Sequence, residues 1–101
     1  MVLNEKLNIP KSISILGSTG SIGKSTLDLI SLNKELYNIE LLTCFNNYQL
    51  LAEQAIVNKA NKVVIVNESY YKDLKSLLSG KKIEVLSGRE GLIESASIPV
   101  D

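Results

Sequence analysis

Gly17-Ser18-Thr19-Gly20-Ser21-Ile22-Gly23 sets three glycines at three-residue spacing between a short apolar run and an amphipathic stretch. Few folds accommodate that order. The apolar run, residues 13–16, reads as a strand that ends at Gly17. Residues 22–33 place Ile22, Thr26, Leu29 and Ile30 at spacings of four, seven and eight, which is one face of a helix. Residues 39–45 read as a second strand. Strand, helix and strand within about thirty residues make a βαβ crossover, which is right-handed in nearly all proteins.

Strand before and helix after are the context that gives such a glycine turn meaning. The GxxGxxG spacing is a variant of GxGxxG, and each glycine has a physical task. Gly17 lets the chain turn off the strand, Gly20 lets a pyrophosphate approach the backbone, and Gly23 lets the helix pack close to the sheet. The N–H groups and the dipole of the helix start then face the phosphates. The hydroxyls of Thr19 and Ser21 add neutral donors. A plain tight βα turn is the bland alternative. Lys24-Ser25 after Gly23 resembles the end of a Walker A loop, but the four-residue gap between glycines is missing, so Lys24 reads as a solvated helix residue.

The alternation continues. Residues 48–59 put Leu51 and Ala55 on one helical face, and Asn46 with Gln49 matches a capping box that would start this helix. Residues 62–66, β-branched from Val63 onward, are continuous as in a strand buried on both faces. Residues 68–79 show Tyr70, Leu74, Leu77 and Leu78 on one face, with Gly80 as a stop. Residues 82–86 form a fourth strand candidate, and residues 88–97 a short helix. The expected fold class is α/β, a Rossmann-like doubly wound parallel sheet truncated at about four strands. Ile98-Pro99-Val100-Asp101 reads as the lead-in to a further strand, so residues 1–101 are expected to be an incomplete N-terminal dinucleotide-binding domain.

NAD-preferring folds carry an Asp or Glu at the end of the second strand to hold the ribose hydroxyls. Here that stretch is Thr43-Cys44-Phe45-Asn46-Asn47, without an acid. A 2′-phosphate is not repelled, which favours NADP, although no Arg or Lys is present to attract it. Helix capping is an equal account of Asn46 and Asn47. Tyr70 and Tyr71 read as helix packing, Lys81-Lys82 as an exposed strand entry and Arg89-Glu90 as a surface pair.

Composition removes other classes. The 101 residues carry no formal net charge, so neither a nucleic-acid stripe nor a polybasic membrane patch is expected. There is no histidine, which excludes a histidine metal site or a Ser-His-Asp triad within these residues. The single cysteine, Cys44, reads as a small core residue and fits a reducing compartment. The longest apolar runs are far too short to span a membrane. Met1 to Ser12 is polar and shows no targeting signal.

ILGSTGSIG at 15–23, STLDLI at 25–30 and EVLSG at 84–88 together resemble the opening of the 1-deoxy-D-xylulose 5-phosphate reductoisomerase family. The resemblance runs from about Ser12 to Asp101. It implies that Thr19, Gly20, Ser21 and Ile22 contact NADPH. It also implies that Asn46 and Asn47, at the family's Gly-Lys-Asn-like tripeptide, contact the cofactor. Asn47 keeps the matching amide, Asn46 replaces a basic residue and Phe45 replaces a glycine. Further implications are a phosphorylated sugar substrate, a product for isoprenoid synthesis, Mg²⁺ or Mn²⁺ held by residues beyond 101, a homodimer at full length and a bacterial-type cytoplasm, with a plastid left open. No catalytic or metal residue is assigned within the chain. A non-catalytic nucleotide-binding module, or another GxxGxxG reductase such as an aspartate-semialdehyde dehydrogenase-like protein, remains open on the residues alone.

Overall fold

The computed structural model describes residues 11–96. Four parallel strands, β1 (Lys11–Ile15), β2 (Tyr37–Cys44), β3 (Lys62–Ile65) and β4 (Glu84–Ser87), lie in the order β1-β2-β3-β4. Helices α1 (Ser21–Ser31), α2 (Tyr48–Asn58) and α3 (Tyr71–Leu77) make the crossovers, and α4 (Gly88–Ala96) follows β4. Short 3₁₀ turns precede β2 at Lys34–Leu36 and α3 at Glu68–Tyr70. The Rossmann-like parallel sheet expected from the alternation is present, with four strands among the described residues. The proposed extra strand at 98–101 and the turn at Pro10 lie outside the described residues.

Strand order explains where the helices go. Three successive right-handed crossovers in one direction place α1, α2 and α3 on one face. Their residues Leu27, Ile30, Leu51, Ala55, Leu74 and Leu78 share a core with Ile15, Leu42, Val63 and Ile65. Val64 alternates to the other face. There α4 covers it: a Cβ on Gly91 would lie 3.6 Å from Val64 Cγ1. Both faces of β3 are thereby closed, and Val63, Val64 and Ile65 are wholly buried. Each such burial contributes roughly 1.5–3 kcal/mol.

The register of β1 on β2 shifts between Ile13 and Ser14, so that Ile13 pairs with Ile39 and Ser14 with Leu41. Glu40 is the extra residue of this bulge. The shift changes which side chains face the helices, and Ile39 and Leu42 both enter the same core.

Two helix faces differ from the periodicity reading. In α1 the buried residues are Gly23, Leu27 and Ile30, whereas Ile22 is 85% and Leu29 67% exposed. The cause is Gly23, whose close approach to the glycine turn fixes the rotation of the helix. At α3, Leu74 and the C-cap Leu78 are buried but Leu77 is 48% exposed. The 3₁₀ turn ahead of α3 breaks the single helix expected from residue 68, and Tyr70 instead stacks on Tyr48 with ring centroids 5.0 Å apart.

Candidate dinucleotide-binding site

The glycine turn and the segment after β2 leave the carboxyl ends of adjacent strands, where α/β sheets bind ligands. Hydrogen bonds bind the two together. Gly17 N–H donates to Thr43 Oγ1 at 3.0 Å, and Ser18 N–H to the Thr43 carbonyl at 2.8 Å. Beneath them Ser18, wholly buried, donates its hydroxyl to Gln54 Oε1 at 2.8 Å. Gln54 Nε2 returns a bond to the Ser18 carbonyl at 2.9 Å. Buried polar groups are costly unless paired, so this reciprocal pair holds the turn firmly against α2. Ser18, Thr43 and Gln54 were not among the sequence candidates. The hydroxyl residues clustered in the turn, Ser18, Thr19 and Ser21, were the only signal for Ser18.

The three glycines do different things. Gly17 has φ +72, in the left-handed region that glycine adopts at least cost. Gly23 is buried, and a Cβ there would overlap the Gly17 carbonyl oxygen and lie 2.5 Å from Ser18 Cα. Gly20 has neither constraint. Its φ is −79, and the only atom near an added Cβ is the Gly17 oxygen at 3.5 Å. The fold therefore tolerates a side chain at Gly20, and the space before it is open.

Gly20 is also the N-cap of α1, and no side chain caps that helix. Its first turn holds no acidic residue. The first N–H groups thus lack a side-chain acceptor, and the positive end of the helix dipole is not neutralised. Ser21 and Ile22 are exposed in this first turn, and Lys24 is exposed beyond it, as its reading required.

The second segment carries a correction. The N-cap of α2 is Asn47, whose Oδ1 accepts from Leu50 N–H at 3.2 Å. Asn46 is not the cap. Its Oδ1 accepts from Asn67 Nδ2 at 2.7 Å, across from the end of β3. The capping-box pattern pointed one residue too early because Asn46-Asn47 offers two amides and the helix begins at Tyr48. Phe45 is 65% exposed, with no core to enter.

Cys44 is buried at the end of β2, as expected of a small core residue. Burial pushes its thiol up to about 11, while hydrogen bonds from the Thr19 side chain and the Asn47 backbone pull the other way. Thr19 therefore lies against the end of β2, and the glycine turn and the segment after β2 meet at Cys44. A thiol held above its ordinary value of 9.0 stabilises the fold fully below that pH, and this contribution is lost as pH rises toward 11. Between pH 9 and 11 the denaturation midpoint should fall more steeply in the native protein than in a Cys44→Ala variant. Parallel slopes would contradict this.

Among the described residues no three His, Cys, Asp or Glu side chains converge as a metal site, and no helix is long and apolar enough to cross a membrane.

A family model for 1-deoxy-D-xylulose 5-phosphate reductoisomerase matches residues 13–100. The reductoisomerase of Wolbachia sp. subsp. Brugia malayi is 53% identical over 91 residues, covering 90% of this chain and 23% of that protein. The Zymomonas mobilis protein is 41% identical over 92 residues, 91% of this chain and 24% of that one. Among solved structures, the Zymomonas mobilis reductoisomerase in complex with NADPH superposes with a TM-score of 0.88 at 40% identity, covering 91% of this chain and 24% of that one. A reductoisomerase in complex with NADPH, fosmidomycin and magnesium gives 0.83 at 37% identity, covering 90% of this chain and 23% of that one. The chain thus spans about a quarter of the length of these relatives. With the glycine turn, the parallel sheet and the family match over residues 13–100 in agreement, this chain belongs to the 1-deoxy-D-xylulose 5-phosphate reductoisomerase family.

Proposed function

We propose that this chain is the NADPH-binding part of an enzyme that converts 1-deoxy-D-xylulose 5-phosphate to 2-C-methyl-D-erythritol 4-phosphate. The observation that carries the reading is the open space at Gly20, in front of an uncapped helix N-terminus with no acid in its first turn. That geometry suits a pyrophosphate, whose oxygens accept from the N–H groups of the first turn and are favoured by the helix dipole. Thr19, Gly20, Ser21 and Ile22 form this cradle. Asn46 and Asn47 lie at the end of β2, where the ribose and its 2′-phosphate would sit. The bound cofactor supplies the hydride; these residues bind and orient it.

The metal that a relative's structure contains has no donor set of three His, Cys, Asp or Glu among the described residues. By the family resemblance, the metal-binding carboxylates and the residues for the sugar phosphate lie beyond residue 101, and the complete protein is a homodimer. Residues 1–101 alone are accordingly expected to give no turnover, because the hydride acceptor must be positioned by a substrate site. Metal-dependent turnover by those residues would refute this.

Cofactor choice is the sharper test. The complete protein should prefer NADPH to NADH, since no carboxylate at the end of β2 repels a 2′-phosphate. Asn46→Lys should raise the preference, because a charge-assisted hydrogen bond is typically worth about 1.5–3 kcal/mol. The helix cap is not at risk, since Asn47 provides it. The measurement is kcat/KM with both cofactors at one fixed salt concentration, because a phosphate contact is screened. A native preference for NADH would overturn the reading.

A further inference from the structure

Asn67 follows β3 at its carboxyl end, and its backbone N–H donates to the Phe45 carbonyl at 3.0 Å. Its side chain makes two bonds that decide each other. Oδ1 accepts from Ser69 N–H at 3.0 Å and so starts the Glu68–Tyr70 turn. A backbone N–H can only donate, so that end of the Asn67 amide must be the oxygen. The other end is therefore the NH₂, and it donates to Asn46 Oδ1 at 2.7 Å. Asn46 in turn must offer Asn67 its oxygen, which leaves the Asn46 NH₂ as the free end. Among the described residues no other hydrogen bond holds the Asn46 side chain.

An unrestrained asparagine presents oxygen or NH₂ with little preference. The ligand beside it distinguishes the two. A phosphate only accepts at neutral pH, apart from its minor protonated form, so it needs the NH₂. A ribose hydroxyl both donates and accepts, so either end serves it. We propose that Asn67 is a positioning residue for cofactor choice: it fixes the Asn46 amide with its NH₂ outward, making a neutral side chain a donor to the 2′-phosphate. This rests on the cofactor reading given above, in which Asn46 lies beside the ribose.

The test is a double-mutant cycle on the complete protein, with NADPH and NADH dissociation constants from titration and melting temperatures as the check on folding. Asn67→Ser keeps a short oxygen for Ser69 N–H but does not reach Asn46. It should lower the NADPH/NADH affinity ratio about twofold, since an amide free to turn still offers its NH₂ about half the time, with NADH binding unmoved. Asn67→Asp caps the turn equally well and lacks the donor, so Asn46 turns its oxygen outward and the ratio falls further. In an Asn46→Ala background Asn67→Ser should change nothing more. A ratio unmoved by both variants overturns the proposal. So does an equal loss for both cofactors, or the same fall in the Asn46→Ala background, where only charge or general structure remains. A native protein that does not bind NADPH overturns the cofactor reading itself; native NADPH binding with unmoved ratios overturns the role of Asn67 alone.

Discussion

Replacing Gly23 by alanine should destabilise the protein by at least about 3 kcal/mol and remove cofactor binding with it. Overpacking a core typically costs about 1–3 kcal/mol, and more when nothing can yield. Here the added methyl meets the Gly17 carbonyl oxygen and Ser18 Cα, which are backbone atoms and not the ends of flexible side chains. Those atoms are themselves fixed: Gly17 and Ser18 bond to Thr43, and Ser18 to Gln54. Relief would require α1 to move outward, uncovering Leu27 and Ile30. Because natural domains are stable by only about 5–15 kcal/mol, the loss is large. Denaturant unfolding of the native and variant proteins measures it, with Ser25→Ala on the exposed side of α1 as the control. A midpoint equal to that of the control would mean that the helix can shift freely on the turn.

Gly20→Val should do the reverse, weakening NADPH binding on the order of a hundredfold while leaving the fold in place. The backbone at Gly20 is extended, with φ −79 and ψ 175, and a Cβ there meets only the Gly17 oxygen at ordinary contact distance. Stability should fall by about 1 kcal/mol, because valine is a poorer N-cap than glycine. The branched side chain would, however, fill the space a pyrophosphate needs. One or two charge-assisted hydrogen bonds would be lost, each worth about 1.5–3 kcal/mol, and every 1.4 kcal/mol is tenfold in affinity. Calorimetric titration and circular dichroism on the complete protein separate the two effects. A folded variant with native affinity would make the turn structural only. Three residues apart, the two substitutions thus divide a glycine that the fold needs from one that the ligand needs.

Much of the architecture follows from local pattern. The continuous β-branched run at 63–66 marks a strand buried on both faces, and Val63, Val64 and Ile65 are wholly buried. The glycine spacing between an apolar run and a helical stretch marks the βα turn, and Gly17 does take the positive φ that such a turn requires. The absence of an acid from residues 43–47 is likewise a matter of sequence. These features are legible because periods of two and 3.6 residues, and the backbone freedom of glycine, act within a few residues of the chain.

What the sequence left undecided depends on contacts between distant segments. The rotation of α1, with Leu27 buried and Leu29 exposed, is set by Gly23 against the turn backbone and not by the apolar pattern, which allowed either face. The bulge at Glu40 exists only in the pairing of β1 with β2. Ser18 and Gln54 are 36 residues apart, and Asn46 and Asn67 are 21 apart. Asn46 and Asn67 meet because adjacent parallel strands bring their carboxyl ends level, and Ser18 meets Gln54 because α2 packs back against the turn; no periodicity in any of these segments encodes that alignment. The sequence by itself determined the sheet, its glycine turn and the absence of an acid from residues 43–47. Only the tertiary structure decided which face of α1 is buried, which asparagine caps α2 and which end of the Asn46 amide is left unpaired, because contacts between segments distant in the chain set all three.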